Sequence, residues 1–309
     1  MKEAFKQIEE KIIPIATGTR LTIKNLYGST KLKTWNRQEI KFAITKAVQG
    51  EITQTEAEQK LKHVTLTEKR TEDEIIVETL VPSFIVKSDL KFTVDLDILA
   101  PPYVNLAIDT GLQKLNGSRK EGSIEISYKE RFTTEISNMK GNLNIFSGPA
   151  NIEIKNFEGK ITAHSLSGTV KLKNCAGELY IQDESGNIYL NECSGYINLK
   201  TRSGNVFISD VEALNLNITA SSGNIKAEFT PLSDGNYHLA TSSGWAKLKI
   251  PFHSSCYIKF ETICGKIFSE QPFEVGEETI LKLGNGEGNL VIKTGSGDIY
   301  LLHGFMEED

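Results

Sequence analysis

The residues whose types could support chemistry are few, and each group lacks the partners that its chemistry needs. Ile108-Asp109-Thr110-Gly111 contains the Asp-Thr-Gly sequence of an aspartic-protease active-site strand. That reaction requires two carboxylates that share one proton, and the sequence contains no second Asp-Thr-Gly. We therefore expect this segment to be a turn at the end of a strand.

A glycine-rich segment, Gly284-Asn285-Gly286-Glu287-Gly288, is of the kind that can hold a phosphate. Loops that bind phosphate in this way deliver the anion to the N-terminus of a following helix. Here NLVIK follows, which predicts a strand. The segment therefore predicts a turn and no nucleotide site.

The sequence also lacks the residue patterns needed for a metal site or for a glycan-cleaving site. Calcium-binding rolls need repeated Asp residues in their turns, whereas Glu192 and Asp210 are expected to continue a solvated polar column from Asn156 and Asn174. No acidic pair recurs at outward positions, as a glycan-cleaving β-helix would require. The histidines have no metal-ligand spacing; they are His63, His164, His238, His253 and His303. We expect a protein that is not an enzyme, with no catalytic, cofactor-binding or metal-binding residues.

A repeat supplies the elements that position the other residues. Glycine recurs every nine residues, at Gly159, Gly168, Gly177, Gly186, Gly195 and Gly204. A fixed short period of this kind marks a solenoid. The residues two and four places after each glycine are mostly apolar and alternate with polar or aromatic ones. This predicts short strands with one buried face, joined by turns at which the glycine has positive φ.

The full period is eighteen residues, because alternate units differ at the seventh place after the glycine. One class of unit carries apolar residues there, namely Phe157, Cys175, Cys193 and Val211. The other class carries Leu166, Glu184 and Arg202. We therefore expect two unlike strands per coil, residues eighteen apart on adjacent rungs, and Glu184 beside Arg202. Later units centre on Gly223, Gly244, Gly265 and Gly297 and are expected to follow in sequence order, which predicts coils of about 18–21 residues.

The cysteines fit the same pattern. Cys175 and Cys193 fall in one inward column, so they are expected to be small core residues, with a disulfide between them as the alternative. Cys256 and Cys264 have no metal-ligand spacing.

The first hundred residues read differently from the repeat. Phe5, Ile8, Ile12 and Ile13 would share one side of a helix, so an amphipathic helical start is expected. TQTEAEQKLKHV predicts a helix over residues 53–64, with a buried stripe formed by Ala57, Leu61 and Val64. We expect residues 1–102 to form a β-rich N-terminal capping unit, residues 103–302 to form the solenoid, and residues 303–309 to form an acidic tail.

Composition narrows the classes of partner. The chain has 309 residues, 39% of them hydrophobic, and a net charge of −5. The negative net charge argues against a nucleic-acid partner or an anionic membrane surface. No apolar run is long enough to span a membrane, and the start lacks the apolar core of a signal peptide. We expect a cytoplasmic protein, or a cell-envelope protein if the chain is a processed form.

The sequence resembles a bacterial and archaeal family labelled "putative adhesins", whose members are β-strand-repeat proteins of undefined domain function. The matching parts are KLKTWNRQEIKFAITK, EAEQKLKHV, DLDILAPPYVNLAI, the Ser-Gly turns and GNGEGNLVIKTGSGDIYLL. The resemblance spans nearly the whole chain. It implies an all-β parallel β-helix with no assigned catalytic residue, and together with the crossover rule it implies a right-handed coil.

Outward aromatic residues are the candidate binding site. Tyr189 and Phe207 are expected to stack on neighbouring rungs, with Lys171 and Lys226 flanking them. Tyr180 and Tyr196 are expected to point outward from the other strand class. Such rings can support a sheet by packing across strands or form a platform for a partner. We expect a non-catalytic scaffold or binding module for a protein or glycan. A self-assembling homo-oligomer is the first alternative, and a carbohydrate-active enzyme is the second.

Overall fold

The computed structural model describes residues 4–86, 88–116, 123–128, 133–149, 151–275 and 278–304, with backbone only for 109–116 and for residues 123, 127, 128, 133 and 134. The chain divides into two compact units, residues 1–148 and 149–309. Both units are built almost wholly from β-strands, as the repeat predicts.

The strands of the first unit are β1 (Ala4–Pro14), β2 (Arg20–Thr34), β3 (Glu39–Gln49), β4 (Thr65–Arg70), β5 (Glu74–Leu80), β6 (Lys91–Ala100), β7 (Asn105–Asn116), β8 (Ser123–Tyr128) and β9 (Thr133–Pro149). Its helices are α1 (Gln54–Lys62) and α2 (Ser83–Val86).

The strands of the second unit are β10 (Asn151–Ser167), β11 (Val170–Asp183), β12 (Ile188–Asn191), β13 (Ser194–Thr201), β14 (Val206–Ala220), β15 (Ile225–Phe229), β16 (Asn236–Thr241), β17 (Ala246–Ile250), β18 (Cys256–Thr262), β19 (Ile267–Ser269), β20 (Glu274–Val275), β21 (Thr279–Leu283), β22 (Gly288–Thr294) and β23 (Ile299–His303).

The chain opens with a strand, so the expected amphipathic helical start is wrong. β1 pairs antiparallel with β3 along its whole length, and Ile8 lies opposite Thr45. Alternate β1 residues are exposed, and Ile8 and Ile12 point outward. The apolar residues that suggest a helix therefore divide between the two faces of a strand, because the partner strand β3 decides the period.

Helix α1 lies within the predicted range and buries the predicted residues. Thr53 caps its N-terminus, and Thr53 and Glu56 form a reciprocal capping box. Ala57, Leu61 and Val64 are all buried.

Strand β2 is inserted between strands that follow it in sequence. Its residue Leu21 pairs with Ile75 of β5 on one side and with Leu106 of β7 on the other. Further along, Leu32 pairs in parallel with Ile98 of β6. Spatial order in the first unit therefore departs from chain order.

The second unit stacks parallel rungs in two sheets. In the first sheet Ile152, Val170, Ile188, Val206 and Ile225 are successive register partners, separated by 18, 18, 18 and 19 residues in the sequence. The second sheet is formed by the C-terminal parts of β10, β11 and β14 together with β13, β16, β22 and β18. In both sheets the apolar residues predicted to point inward are buried.

The last coil is out of sequence order, which corrects the expected succession of the later units. β16 pairs with β22, and β22 pairs with β18; likewise β17 pairs with β23, and β23 pairs with β19. The coil β22–β23 therefore lies between β16–β17 and β18–β19. Close approach between glycines supports this order of coils. A Cβ on Gly297 would touch the carbonyl oxygen of Gly244, and a Cβ on Gly265 would touch the carbonyl oxygen of Gly297.

The glycine-rich segment makes this insertion possible. β21 runs antiparallel along one edge of β18, and β22 runs parallel along the other edge. Residues 284–287 join them around the start of β18. There the Ser255 hydroxyl accepts hydrogen bonds from the backbone N–H groups of Asn285 at 3.1 Å and Glu287 at 3.4 Å. Gly284 and Gly286 adopt positive φ. As expected, a strand follows this turn and not a helix.

Gly186 is required for close approach and not for positive φ, so the expected left-handed turn there is wrong. A Cβ on Gly186 would overlap the carbonyl oxygen of Gly168 on the adjacent rung. The expected positive φ is found at four other repeat glycines, Gly159, Gly168, Gly177 and Gly195. It also occurs at the predicted polar column, where Asn156, Asn174 and Asp210 have φ of 52° and Glu192 has 53°. Here Asn174 Nδ2 donates to Asn156 Oδ1 at 2.9 Å.

The structure also tests the expectations for the cysteines and for Glu184 and Arg202. The four cysteines are free; Cys175, Cys193 and Cys256 are buried, and Cys264 is exposed. Cys175 and Cys193 are core residues, as expected. Within the described residues, Glu184 and Arg202 make no ion pair; the Glu184 carboxylate instead accepts from Gln182 Nε2 at 3.2 Å.

Candidate functional site

The five predicted binding residues divide between the two sheets of the second unit. Lys171, Tyr189 and Phe207 are register partners on the first sheet. Tyr180 and Tyr196 lie on the second sheet, where Tyr180 is opposite Asn198 and Tyr196 is opposite Glu178. They therefore form two separate surfaces.

We call the outward column of the first sheet the aromatic ladder. Register pairing places its members in the order Lys171, Tyr189, Phe207, Lys226, Lys247, Tyr300 and Phe268. Two aromatic pairs thus flank two lysines. The second pair exists only because β23 is inserted between β17 and β19.

Both aromatic pairs stack face to face. The ring centroids of Tyr189 and Phe207 are 4.7 Å apart with planes inclined by 11°, and those of Phe268 and Tyr300 are 5.0 Å apart with an inclination of 8°. Two rings lying side by side in one plane would collide at these separations. Their edges therefore point to solvent, while their inner faces cover each other.

Lysine side chains give the aromatic ladder positive charge. Lys171 Nζ lies 5.8 Å from the ring centre of Tyr189, within cation–π range. Lys226 pairs with Glu228 at 2.8 Å. Lys247 is exposed and has no ion-pair partner among the residues that the structure describes. At the Lys171 end of the ladder a depression of about 460 Å³ is lined by Lys155, Lys171, Lys173, Tyr189, Asn191 and their neighbours.

On the second sheet we call the outward column Tyr196, Asn215, Asn236, Asn289 and Tyr257 the amide ladder. These residues are successive register partners on five strands, and all five are exposed. Tyr196 is 55% exposed and Tyr257 43%. Lys282 Nζ lies 5.2 Å from the ring centre of Tyr257.

The column beside the amide ladder is also largely uncharged. It runs from Tyr180 through Asn198 and Asn217 to His238 and Val291. His238 Nδ1 lies 3.1 Å from Asn217 Oδ1. Lys160 Nζ lies 5.1 Å from the ring centre of Tyr180 and so covers one face of that ring.

The residues first considered for catalysis are dispersed. β7 runs straight through Asp109, which pairs with Lys24 and Ser127 in neighbouring strands, so the expected turn is wrong. Over the described ranges, no group of three His, Cys, Asp or Glu residues could hold a metal. Burial, with smaller effects of Glu192 and Glu228, raises the pKa of Asp210. No helix in the described part of the chain is long and apolar enough to cross a membrane.

The sequence alone misses Asn215 and Asn236 as members of the amide ladder. It also misses Lys247, Tyr300 and Phe268 of the aromatic ladder, and Asn289 and Tyr257 of the amide ladder. For this second group the cause is the out-of-order coil, since sequence order would place Phe268 directly beside Lys247. One signal could have revealed it: Gly265 and Gly297 are 32 residues apart in the sequence, more than a coil needs. The excess holds β20, β21 and the loop around Ser255.

The second unit is thus a β-rich repeat with two outward ladders. The chain matches the family described as Toastrack DUF4097 over residues 19–302. The chain belongs to this family, and the family resemblance expected from its motifs is confirmed.

Three solved structures are among those to which the chain is similar. A putative lipid binding protein from Parabacteroides distasonis shares 12% identity at a TM-score of 0.46, covering 96% of each chain. A putative adhesin from the same species shares 10% identity at a TM-score of 0.40, covering 96% of this chain and 97% of the other. A putative cell adhesion protein from Clostridium sporogenes shares 14% identity at a TM-score of 0.26, covering 97% and 100%. No curated protein matches the chain.

Proposed function

We propose that this protein is a non-catalytic scaffold or binding module that engages a protein partner through the aromatic ladder. The observation that carries the proposal is the stacked pair Tyr189 and Phe207, held outward with Lys171 beside it. The proposal includes a right-handed solenoid with coils of about 18–21 residues and an N-terminal capping unit over residues 1–102.

Ring orientation favours a protein over a glycan on this surface. A sugar ring is usually held against an open aromatic face, but Tyr189 and Phe207 cover each other's inner faces. What they present is a pair of ring edges, which carry partial positive charge. Lys171 and Lys247 add full charges nearby. A partner with apolar side chains and carboxylates therefore fits better than a neutral sugar.

The test of this proposal compares two double variants. Tyr189→Ala with Phe207→Ala removes the stacked pair, and Tyr180→Ala with Tyr196→Ala removes two tyrosines from the other sheet as a matched control. Photo-crosslinking at Lys171 in lysate, followed by mass spectrometry, identifies the partner, which is then purified for affinity measurement. We expect the first variant to weaken binding by at least about tenfold and the control to bind normally. Equal binding by both variants would contradict the proposal.

Self-assembly is the second candidate function, and short edges argue against its end-to-end form. β20 has two residues and β19 has three. Short edge strands resist pairing with other chains. Association through the sides of the coils remains open to test, and a mass that rises with protein concentration in light scattering would favour it. A carbohydrate-active enzyme would instead release reducing ends from a polysaccharide.

A further inference from the structure

The second sheet carries a surface that differs from the aromatic ladder in chemistry and position. We propose that the amide ladder binds an extended, uncharged polysaccharide whose chain runs along the column of register partners, across the strands. This site goes beyond the protein-binding function proposed above and does not depend on it.

The first observation is the absence of charge across four rungs. β13, β14, β16 and β22 contribute eight outward positions in the two neighbouring columns: Tyr196, Asn198, Asn215, Asn217, Asn236, His238, Asn289 and Val291. None is Asp, Glu, Lys or Arg, although 24% of the chain is charged. Charged side chains begin in the third column, at Lys200 and Lys293, at Asp234 and Glu287 on the opposite side, and at the two ends. An uncharged surface of this size offers no complement to an anionic or cationic polymer.

The second observation is that the central amides are free to bind a ligand. Asn198 and Asn215 are exposed, and neither has a hydrogen-bond partner among the described residues. Each amide offers two donors and an acceptor, which matches the mixed donor and acceptor character of sugar hydroxyls. Asn236 and Asn289 are joined only by a long contact of 3.5 Å between Nδ2 and Oδ1.

Other asparagines in this unit have a plain structural role, which sets these apart. Asn187 Oδ1 accepts from the backbone N–H of Asn205, and Asn205 Oδ1 accepts from that of Asn224, each at 2.9 Å. Those side chains close the turns between rungs. Asn198 and Asn215 close no turn, since they lie within strands and point to solvent.

The third observation is a tyrosine at each end of the amide ladder. Tyr196 is exposed, and the structure records no ring or cation against it among the described residues; Tyr257 has Lys282 near its ring. The column spans five strands, or about 19 Å at the usual strand spacing of ~4.8 Å. This length suits several consecutive sugar rings, with the tyrosines packing against the outer ones and the amides binding hydroxyls between them.

Affinity gel electrophoresis of the full chain tests the site directly. The native gels contain galactomannan, hydroxyethyl cellulose or dextran as neutral probes, and polygalacturonate or heparin as acidic ones. We expect at least one neutral polymer to slow the protein in proportion to its concentration, and the acidic polymers to leave its mobility unchanged. No retardation in any neutral gel, or retardation in the acidic gels alone, would overturn the proposal.

Isosteric variants then locate the binding. Asn198→Asp with Asn215→Asp keeps shape while replacing donors with negative charge, and should weaken retardation by at least about tenfold. Asn142→Asp, at an exposed asparagine of β9, is the matched control and should behave like the parent. Unchanged retardation of the Asn198 and Asn215 variant would overturn the site even if a neutral polymer binds. Circular dichroism and melting curves check that each variant folds.

The two proposals can fail independently. The variant with Tyr189→Ala and Phe207→Ala should lose its protein partner and keep its retardation in the neutral gel. If it loses both, the two ladders act as one surface and the amide ladder is not a separate glycan site.

Discussion

Asn236 lies directly beside Asn289 on the second sheet, although 53 residues separate them in the chain. The intervening chain forms β17, β18 and β19, turns back through β20 and β21, and only then places β22 against β16. A strand late in the chain therefore fills a gap within the stack. This arrangement ties the C-terminal coil into the unit and builds both ladders from residues distant in sequence.

Replacing Gly186 with alanine should destabilise the fold through a clash. The new Cβ would overlap the Gly168 carbonyl oxygen, so the rungs must separate. A cost of about 1–3 kcal/mol corresponds to a fall in melting temperature of roughly 2–12 °C for a chain above 150 residues. Gly304→Ala, where no described residue lies within 4 Å of the added Cβ, is the control. Equal melting temperatures for the two variants would mean that Gly186 and the Gly168 carbonyl are further apart than the structure shows.

Replacing Asp183 with threonine should stabilise the protein at neutral pH. Asp183 is 1% exposed, and its Oδ2 has no hydrogen-bond partner among the described residues. Burial raises the pKa of this carboxyl, and the N–H of Gly186 opposes that effect in part. The next rung has Thr201 at this register position, where its hydroxyl accepts from Gly204 N at 3.0 Å. Threonine therefore keeps the acceptor and removes the buried charge.

The pH dependence of the stability gained by Asp183→Thr follows from the direction in which the pKa of Asp183 shifts on folding. Because the folded pKa lies above the unfolded value of 3.8, the carboxyl contributes stability below pH 3.8 and loses it as the pH rises through the folded pKa. The gain from Asp183→Thr should be about 1–3 kcal/mol at pH 7 and shrink toward pH 4. A gain that does not depend on pH, or a lower melting temperature at pH 7, would contradict this.

Native thiol labelling should modify one cysteine quickly. Cys264 is exposed. Burial raises the pKa of Cys256 to about 12, and the neighbouring Cys193 thiol together with burial raises that of Cys175. Maleimide mass spectrometry should find one fast adduct, absent from Cys264→Ser, and four after denaturation. Two or more fast adducts on the native protein would show that the core opens readily.

Much of the fold follows from local sequence. Alternation around Gly186 gives the strands and their buried faces, and Thr53 with Glu56 marks the start of α1. The positions of β1 and β22 cannot be predicted from local sequence, because each is decided by a partner strand distant in the chain. The sequence places Tyr189 beside Phe207 since they are eighteen residues apart in a regular repeat. It cannot place Tyr300 beside Lys247, because no local preference encodes which rung a later strand joins.

Disulfide formation tests the inserted coil most directly. In a Cys264→Ser background, Lys247→Cys is combined with Tyr300→Cys or with Phe268→Cys. Lys247 and Tyr300 lie on adjacent strands about 4.8 Å apart, within disulfide range, whereas Phe268 lies one rung further, at roughly 10 Å. We predict that mild oxidation links residues 247 and 300 and leaves 247 and 268 reduced. A bond between 247 and 268, with none between 247 and 300, would mean that the coils follow sequence order and that β19, not β23, lies beside β17.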